Sequence, residues 1–132
     1  GWDGWVRRLY GKVCDRYQDQ QQGKREYAME LHVLRLGDVA IATNPFELYV
    51  DHGVQIQARS VAEQTILIQL AATGSQDGYY VPTARAIAAG GLSETVMNNY
   101  SATVMTNVIG PEGAQLLVER TLETIEELWK VG

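Results

Sequence analysis

"AMELHVLRLGDVAIATNP", residues 28–45, decides how the rest of the chain is read. Leu31 and Val33, then Leu34 and Leu36, lead into Gly37-Asp38, and Val39, Ile41 and Thr43 continue beyond it. A Gly-Asp pair between two apolar runs predicts a hairpin closed by a two-residue turn. Asn44 and Pro45 then stop the second strand. Glu47 follows almost at once, where a strand of the core empties toward a helical pattern. Three readings of that carboxylate stand open. It favours a helix N-terminus, it is a solvated surface residue, or it is half of an active site.

Working outward, residues 47–59 carry a helical pattern with Tyr49, Gly53 and Ile56 on one face. "TILIQLA", 65–71, is β-branched and nearly all apolar, which predicts a central strand buried on both faces. "ATGSQDGYYVPTARAIAAGGLSE", 72–94, holds Gly74, Gly78, Gly90, Gly91, Pro82 and the adjacent Tyr79 and Tyr80, and predicts a long loop. "MNNYSATVMTNVI", 97–109, fits neither a strand nor a helix period decisively. "GPEGAQLLVERTLETIEELW", 110–129, predicts a docking helix. Pro111 stands at its first position, Glu112 in its first turn, and Ala114, Leu117, Val118, Leu122, Ile125, Leu128 and Trp129 form one apolar stripe. In the other direction, Asp3 is an N-cap candidate for an amphipathic helix carrying Trp5, Leu9, Val13 and Tyr17. "QDQQQGKRE", 18–26, has no apolar residue and predicts an exposed connection.

Helix, hairpin, helix, strand, long loop, helix implies an α+β or layered α/β fold, with helices on one face of a mixed sheet. Residues 1–132 read as a single unit. The chain enters a helical pattern within three residues, without an initiating Met or a signal peptide. We therefore expect a fragment of a larger domain, the alternative being a trimmed complete small protein. A net charge of -5 argues against a nucleic-acid partner, since phosphate binding needs a basic patch. No apolar run is long enough to span a membrane as a helix. The single cysteine, Cys14, excludes an internal disulfide and lies within the first helix rather than at a helix N-terminus.

Motif chemistry is sparse. There is no phosphate-binding glycine loop, HExxH or CxxC, and Ser75 and Ser93 lack a nucleophile elbow. His32 and His52 fall in different elements and read as ordinary, partly exposed histidines; Asp51 beside His52 is a weak candidate proton relay. Glu47 and the tyrosine pair each leave the end of a strand, where ligands gather in layered α/β proteins, so carboxylate and phenols can share a site.

Three blocks, "LHVLRLGDVAIATNPFELYVDHG", "IQLAATGSQDGYYVPTARAIAAGG" and "GPEGAQLLVERTLETIEELW", resemble in this order the final third of the neutral/alkaline ceramidase catalytic domain. They resemble more closely the bacterial ceramidase-like proteins. The resemblance covers about Glu30 to Trp129. It implies a zinc-dependent amide hydrolase acting on a lipid or other N-acyl substrate. Two histidines would come from the remainder of its own chain, with Glu47 and Tyr80 as the further metal ligands. Glu47 stands in a Pro45-Phe46-Glu47 context where the family has Pro-Gly-Glu, which would add bulk at the rim of the site. Tyr80 stands in "YYVPT". Neither His32 nor His52 matches the family's zinc histidines. Zinc is expected in the full-length protein and not in these 132 residues alone, because two ligands do not complete a tetrahedral site. A further catalytic tyrosine of the family is matched by Leu92, with Tyr79 or Tyr100 as alternative hydroxyls, which implies poor hydrolysis of long-chain ceramide. The resemblance admits an exported, periplasmic or secreted, location and leaves the compartment open. The alternative of another class is a ceramidase-like fold without catalysis, acting as a ligand-binding or structural module.

Overall fold

A computed structural model describes residues 2–24, 27–71, 79–90 and 107–131. The chain runs α1 (Trp2–Gln21), β1 (His32–Leu36), β2 (Val39–Thr43), β3 (Glu47–Leu48), α2 (Val50–Arg59), β4 (Gln64–Ile68), β5 (Tyr80–Val81), α3 (Ala84–Gly90) and α4 (Pro111–Lys130). The fold is α+β, with a mixed sheet in the order β1-β2-β4 and a separate two-stranded ladder of β3 and β5. β1 and β2 are antiparallel, from His32↔Thr43 to Leu36↔Val39. Their turn is Gly37-Asp38, and Gly37 has φ +62°. Asp38 keeps a negative φ, the sign pattern of a type II′ hairpin with glycine first. β2 and β4 are parallel, from Val39↔Gln64 to Thr43↔Ile68, with α2 as the crossover.

The side chains of the pleat divide the sheet. Ala40 and Ala42 of β2, Thr65 of β4, and Val33 and Arg35 of β1 share the inner face. Alanines at the centre let helices approach closely, and α2 and α4 cover this side. Ala40, Ile56, Val118, Leu122 and Ile125 form the buried cluster, with Val33, Ala62, Leu67 and Trp129 against it. Arg35 reaches the far end of α4, where its Nη1 donates to Leu128 O at 3.0 Å and its guanidinium lies 4.4 Å from the Trp129 ring centroid. That cation complements the helix C-terminus. A second cluster, Phe46, Val81, Ala114 and Leu117, joins the first half of α4 to the β3–β5 ladder. No helix among the described residues is long and apolar enough to cross a membrane.

The structure corrects several expectations. Among the described residues β4 is an edge strand, and β2 is central. Its Thr65 is buried, but Ile66 and Ile68 are exposed, as are Leu34 and Leu36 on β1. Helices cover one face only among the described residues, so an apolar run did not mean burial on both faces. The helix expected from residue 47 begins at Val50, because Glu47 and Leu48 are held in a ladder. Its buried residues are His52 and Ile56, while Tyr49 is its N-cap. Inside the expected long loop lie β5 and α3. α1 continues through Gln21 into the glutamine run and stops at Gly23, with φ +62°. There Lys24 N donates to Asp19 O at 2.9 Å, a Schellman-type closure. Trp5 and Tyr17, on the apolar stripe expected of an amphipathic first helix, are exposed. The α4 stripe stands, with Leu128 and Trp129 partly exposed near its end.

Candidate functional site

The parallel strands β2 and β4 both end at one rim, and the chain is laced together just beyond it. Asn44, buried, donates from N to Ile68 O at 3.0 Å and accepts from Ala71 N at 2.9 Å. Its side-chain Oδ1 accepts from Phe46 N at 3.0 Å, an Asx turn. Leu70 adopts a left-handed φ of 55° as it turns back, and its N donates to Phe46 O at 3.3 Å. A bulky residue in that region is strained, which marks the rim as a place where tertiary contacts override local preference.

This lacing delivers β3 alongside β5. Glu47 N donates to Tyr79 O at 3.1 Å, Tyr49 N donates to Val81 O at 3.2 Å, and the register is Glu47↔Tyr80 and Leu48↔Val81. Residues opposite one another in parallel strands project to the same face, about 4.8 Å apart across the ladder. The Glu47 carboxylate and the Tyr80 phenol therefore leave one face side by side. Val81 and Leu48 leave the other face and pack into the second core cluster. Phe46 is fully buried in that cluster, its ring centroid 5.4 Å from that of Tyr27. The expected bulk at the rim is instead core, and it anchors the backbone that carries Glu47. Tyr79 borders a cavity of about 610 Å³ together with Tyr27 and Lys12 and Arg16 of α1.

Neither histidine joins Glu47 and Tyr80 in this way. His32 opens β1 with its side chain 70% exposed, 3.7 Å from Glu30. His52 sits in the first turn of α2 and is only 3% exposed, against the expectation of a partly exposed residue. Neither of its ring nitrogens has a partner. The expected Asp51–His52 relay does not form. Asp51 instead takes Arg85 Nη2 at 3.0 and 3.2 Å, with Thr83 Oγ1 at 3.5 Å. Adjacent helical residues point in different directions, so sequence adjacency did not become side-chain contact. Thr83 also accepts from Ala86 N at 3.1 Å, capping α3.

As a zinc site, the described residues provide two oxygen donors on one face. Catalytic zinc takes about three protein ligands. No group of three or more His, Cys, Asp or Glu suited to a metal ion occurs among the described residues. The donor set in hand does not by itself fit a complete centre. Leu92, Tyr100, Ser75 and Ser93 lie outside the described residues. Cys14 is exposed on α1.

No protein-family model, curated protein or solved structure matches this chain.

The residues that sequence reasoning passed over are those around His52: Thr83 and Arg85 from the α3 start, and Glu112 and Gln115 from α4. Thr83-Ala84-Arg85 did carry a signal, a threonine followed by a short helix-forming run. The surrounding glycines and tyrosines masked it.

Proposed function

We propose that this chain is the C-terminal portion of a ceramidase-like, zinc-dependent amide hydrolase acting on a lipid or other N-acyl substrate. Glu47 and Tyr80 are two of the metal's ligands, and the remainder of the polypeptide supplies two histidines. The observation that supports this reading is the Glu47↔Tyr80 register at the rim of the parallel strands. Two oxygen donors from separate segments are held about one strand spacing apart on one face, with Phe46 and Asn44 fixing the backbone that presents Glu47. Bound zinc would polarise the amide carbonyl and lower the pKa of a bound water toward about 7. Leu92 at the place of a family tyrosine removes a hydrogen-bond donor, so long-chain ceramide is a poor substrate and shorter N-acyl compounds are better ones.

The test is metal analysis of the full-length polypeptide and of its Glu47→Gln and Tyr80→Phe variants, followed by hydrolysis assays on N-acyl substrates. We expect near-stoichiometric zinc in the parent. Glu47→Gln should weaken binding by at least about tenfold, since even an outer-shell partner costs about 10–100-fold. Zinc content and affinity unchanged in both variants would overturn the assignment. A second reading is a ceramidase-like fold that binds a ligand without catalysis, for which the cavity bordered by His52, Thr83 and Arg85 is the place to look.

A further inference from the structure

We propose that the outer face of the β1-β2-β4 sheet is the surface on which the remainder of the polypeptide docks, as an apolar, uncharged layer over the side that α2 and α4 leave open. The proposal rests on the reading of this chain as one part of a larger domain, and on nothing in its metal chemistry. Leu34, Ile41 and Ile66 stand in one row across the three strands, with Leu36, Val39 and Ile68 in the rows on either side. Leu34 is 59% and Ile66 41% exposed, and Leu36 and Ile68 are exposed as well. No Asp, Glu, Lys or Arg points outward from these strands, and the only titratable group on the face is His32, at a corner. A contiguous apolar patch of this kind marks an interaction surface.

The face is not built for water. A sheet with one solvated side alternates apolar and polar residues along its strands, whereas parallel pairs joined by a helical crossover occur almost only where both sides are covered. β2 and β4 are such a pair, and both their sides are apolar. The two edges differ as well. β1 carries Arg35 on the inner face, and an inward-pointing charge keeps an edge from pairing further. β4 and the two residues after it, "QTILIQL", 64–70, have neither charge nor proline, so β4 lacks the devices of a strand that stays an edge. Size and charge then select the occupant. Three strands about 4.8 Å apart, with five residues at about 3.3 Å each, give a footprint of roughly 240 Å². A stable complex of separate proteins buries about 800 Å² on each side, so a second copy seated on this face falls well short. A layer tethered by the chain needs no such area, because linkage makes docking intramolecular at an effective concentration of about millimolar. α2 and α4 already cover the same footprint on the inner side. The lack of charge leaves nothing for a nucleic acid or an anionic lipid surface to hold.

The experiment uses the full-length polypeptide with Cys14→Ser, carrying either Leu34→Cys or Ile66→Cys, and follows maleimide labelling of the introduced thiol by peptide mass spectrometry. Both positions are open to solvent in residues 1–132. In the full-length protein we expect labelling at each to be at least about tenfold slower than in the same polypeptide unfolded in urea, since a covered site reacts only when it opens. Smaller protection at either position would overturn the proposal. Ile66→Lys should lower the Tm of the full-length protein by roughly 4 °C or more, as a charge placed in a covered apolar layer does. An unchanged Tm would count against docking, because a substitution on a free surface has little effect. Should Ile66→Lys fail to fold, the labelling rates decide. Protection that is lost on dilution, in step with dissociation of a dimer in sedimentation, would assign the face to a second copy and overturn the proposal. Zinc content separates this result from the metal reading. Protection without zinc would overturn the ligand assignment of Glu47 and Tyr80 and leave docking in place, whereas bound zinc with rapid labelling would overturn docking alone.

Discussion

Replacing His52 by leucine should stabilise the chain. Burying a donor or acceptor without a partner costs about 1–3 kcal/mol, and His52 has two such nitrogens. Leucine removes both, fills a comparable volume, and has the better helix propensity by a few tenths of a kcal/mol. It also stands one turn before Ile56, the other buried residue of α2, and extends the apolar stripe. Against this, the cavity beside the ring reduces the gain, because leucine leaves part of its surface facing a polar wall. We expect a net increase of about 1–3 kcal/mol, a sizeable share of the roughly 5–15 kcal/mol of an ordinary domain. At about 4 °C per kcal/mol for a chain of this size, Tm rises by roughly 4–12 °C. Urea unfolding followed by tryptophan fluorescence reads the change as a higher midpoint with an unaltered slope. A loss of more than about 1 kcal/mol would refute the reasoning, since it would mean that the imidazole makes hydrogen bonds in the free chain.

Phe46→Ala should cost about 3–5 kcal/mol, because the ring is fully buried between Tyr27 and the first half of α4. A residue at the rim of a site would change stability by less than about 0.5 kcal/mol on chemical denaturation. Glu119 is held at a pKa of about 2 by the Arg59 hydrogen bonds and then by Gln115. Its folded value is depressed, so its contribution is present above the ordinary carboxylate pKa near 4.5 and is lost as pH falls toward about 2. Glu119→Gln should flatten the acid limb of the stability–pH curve in that window, by a small amount because the pair is exposed to solvent. Gly37→Val should cost about 1–2 kcal/mol in thermal unfolding, since a Cβ there meets nothing within 4 Å and only the left-handed backbone objects.

The hairpin and α4 were legible in the sequence because their signals are local. Gly37-Asp38 sets its own turn, and the α4 stripe repeats at the helical period over its whole length. α1 was overextended in apolar character and underextended in length, since Gly23 rather than the glutamine run ends it. "TILIQLA" announced a strand but not its place. An apolar run records what could be buried, and only the packing of α2 and α4 on the Ala40–Thr65 face leaves Ile66 and Ile68 exposed among the described residues. For the site, sequence pattern brought Glu47 and Tyr80 to neighbouring strand ends, and tertiary structure set them in register through a ladder of two rungs, too short to leave a periodic trace. His52 shows the division most plainly. As a residue in a helical run it reads as ordinary, because burial is a property of what comes to lie against it. The first turn of α4 and the Thr83–Arg85 segment, distant in the chain, border the same cavity as His52, whose ring nitrogens are buried without a partner.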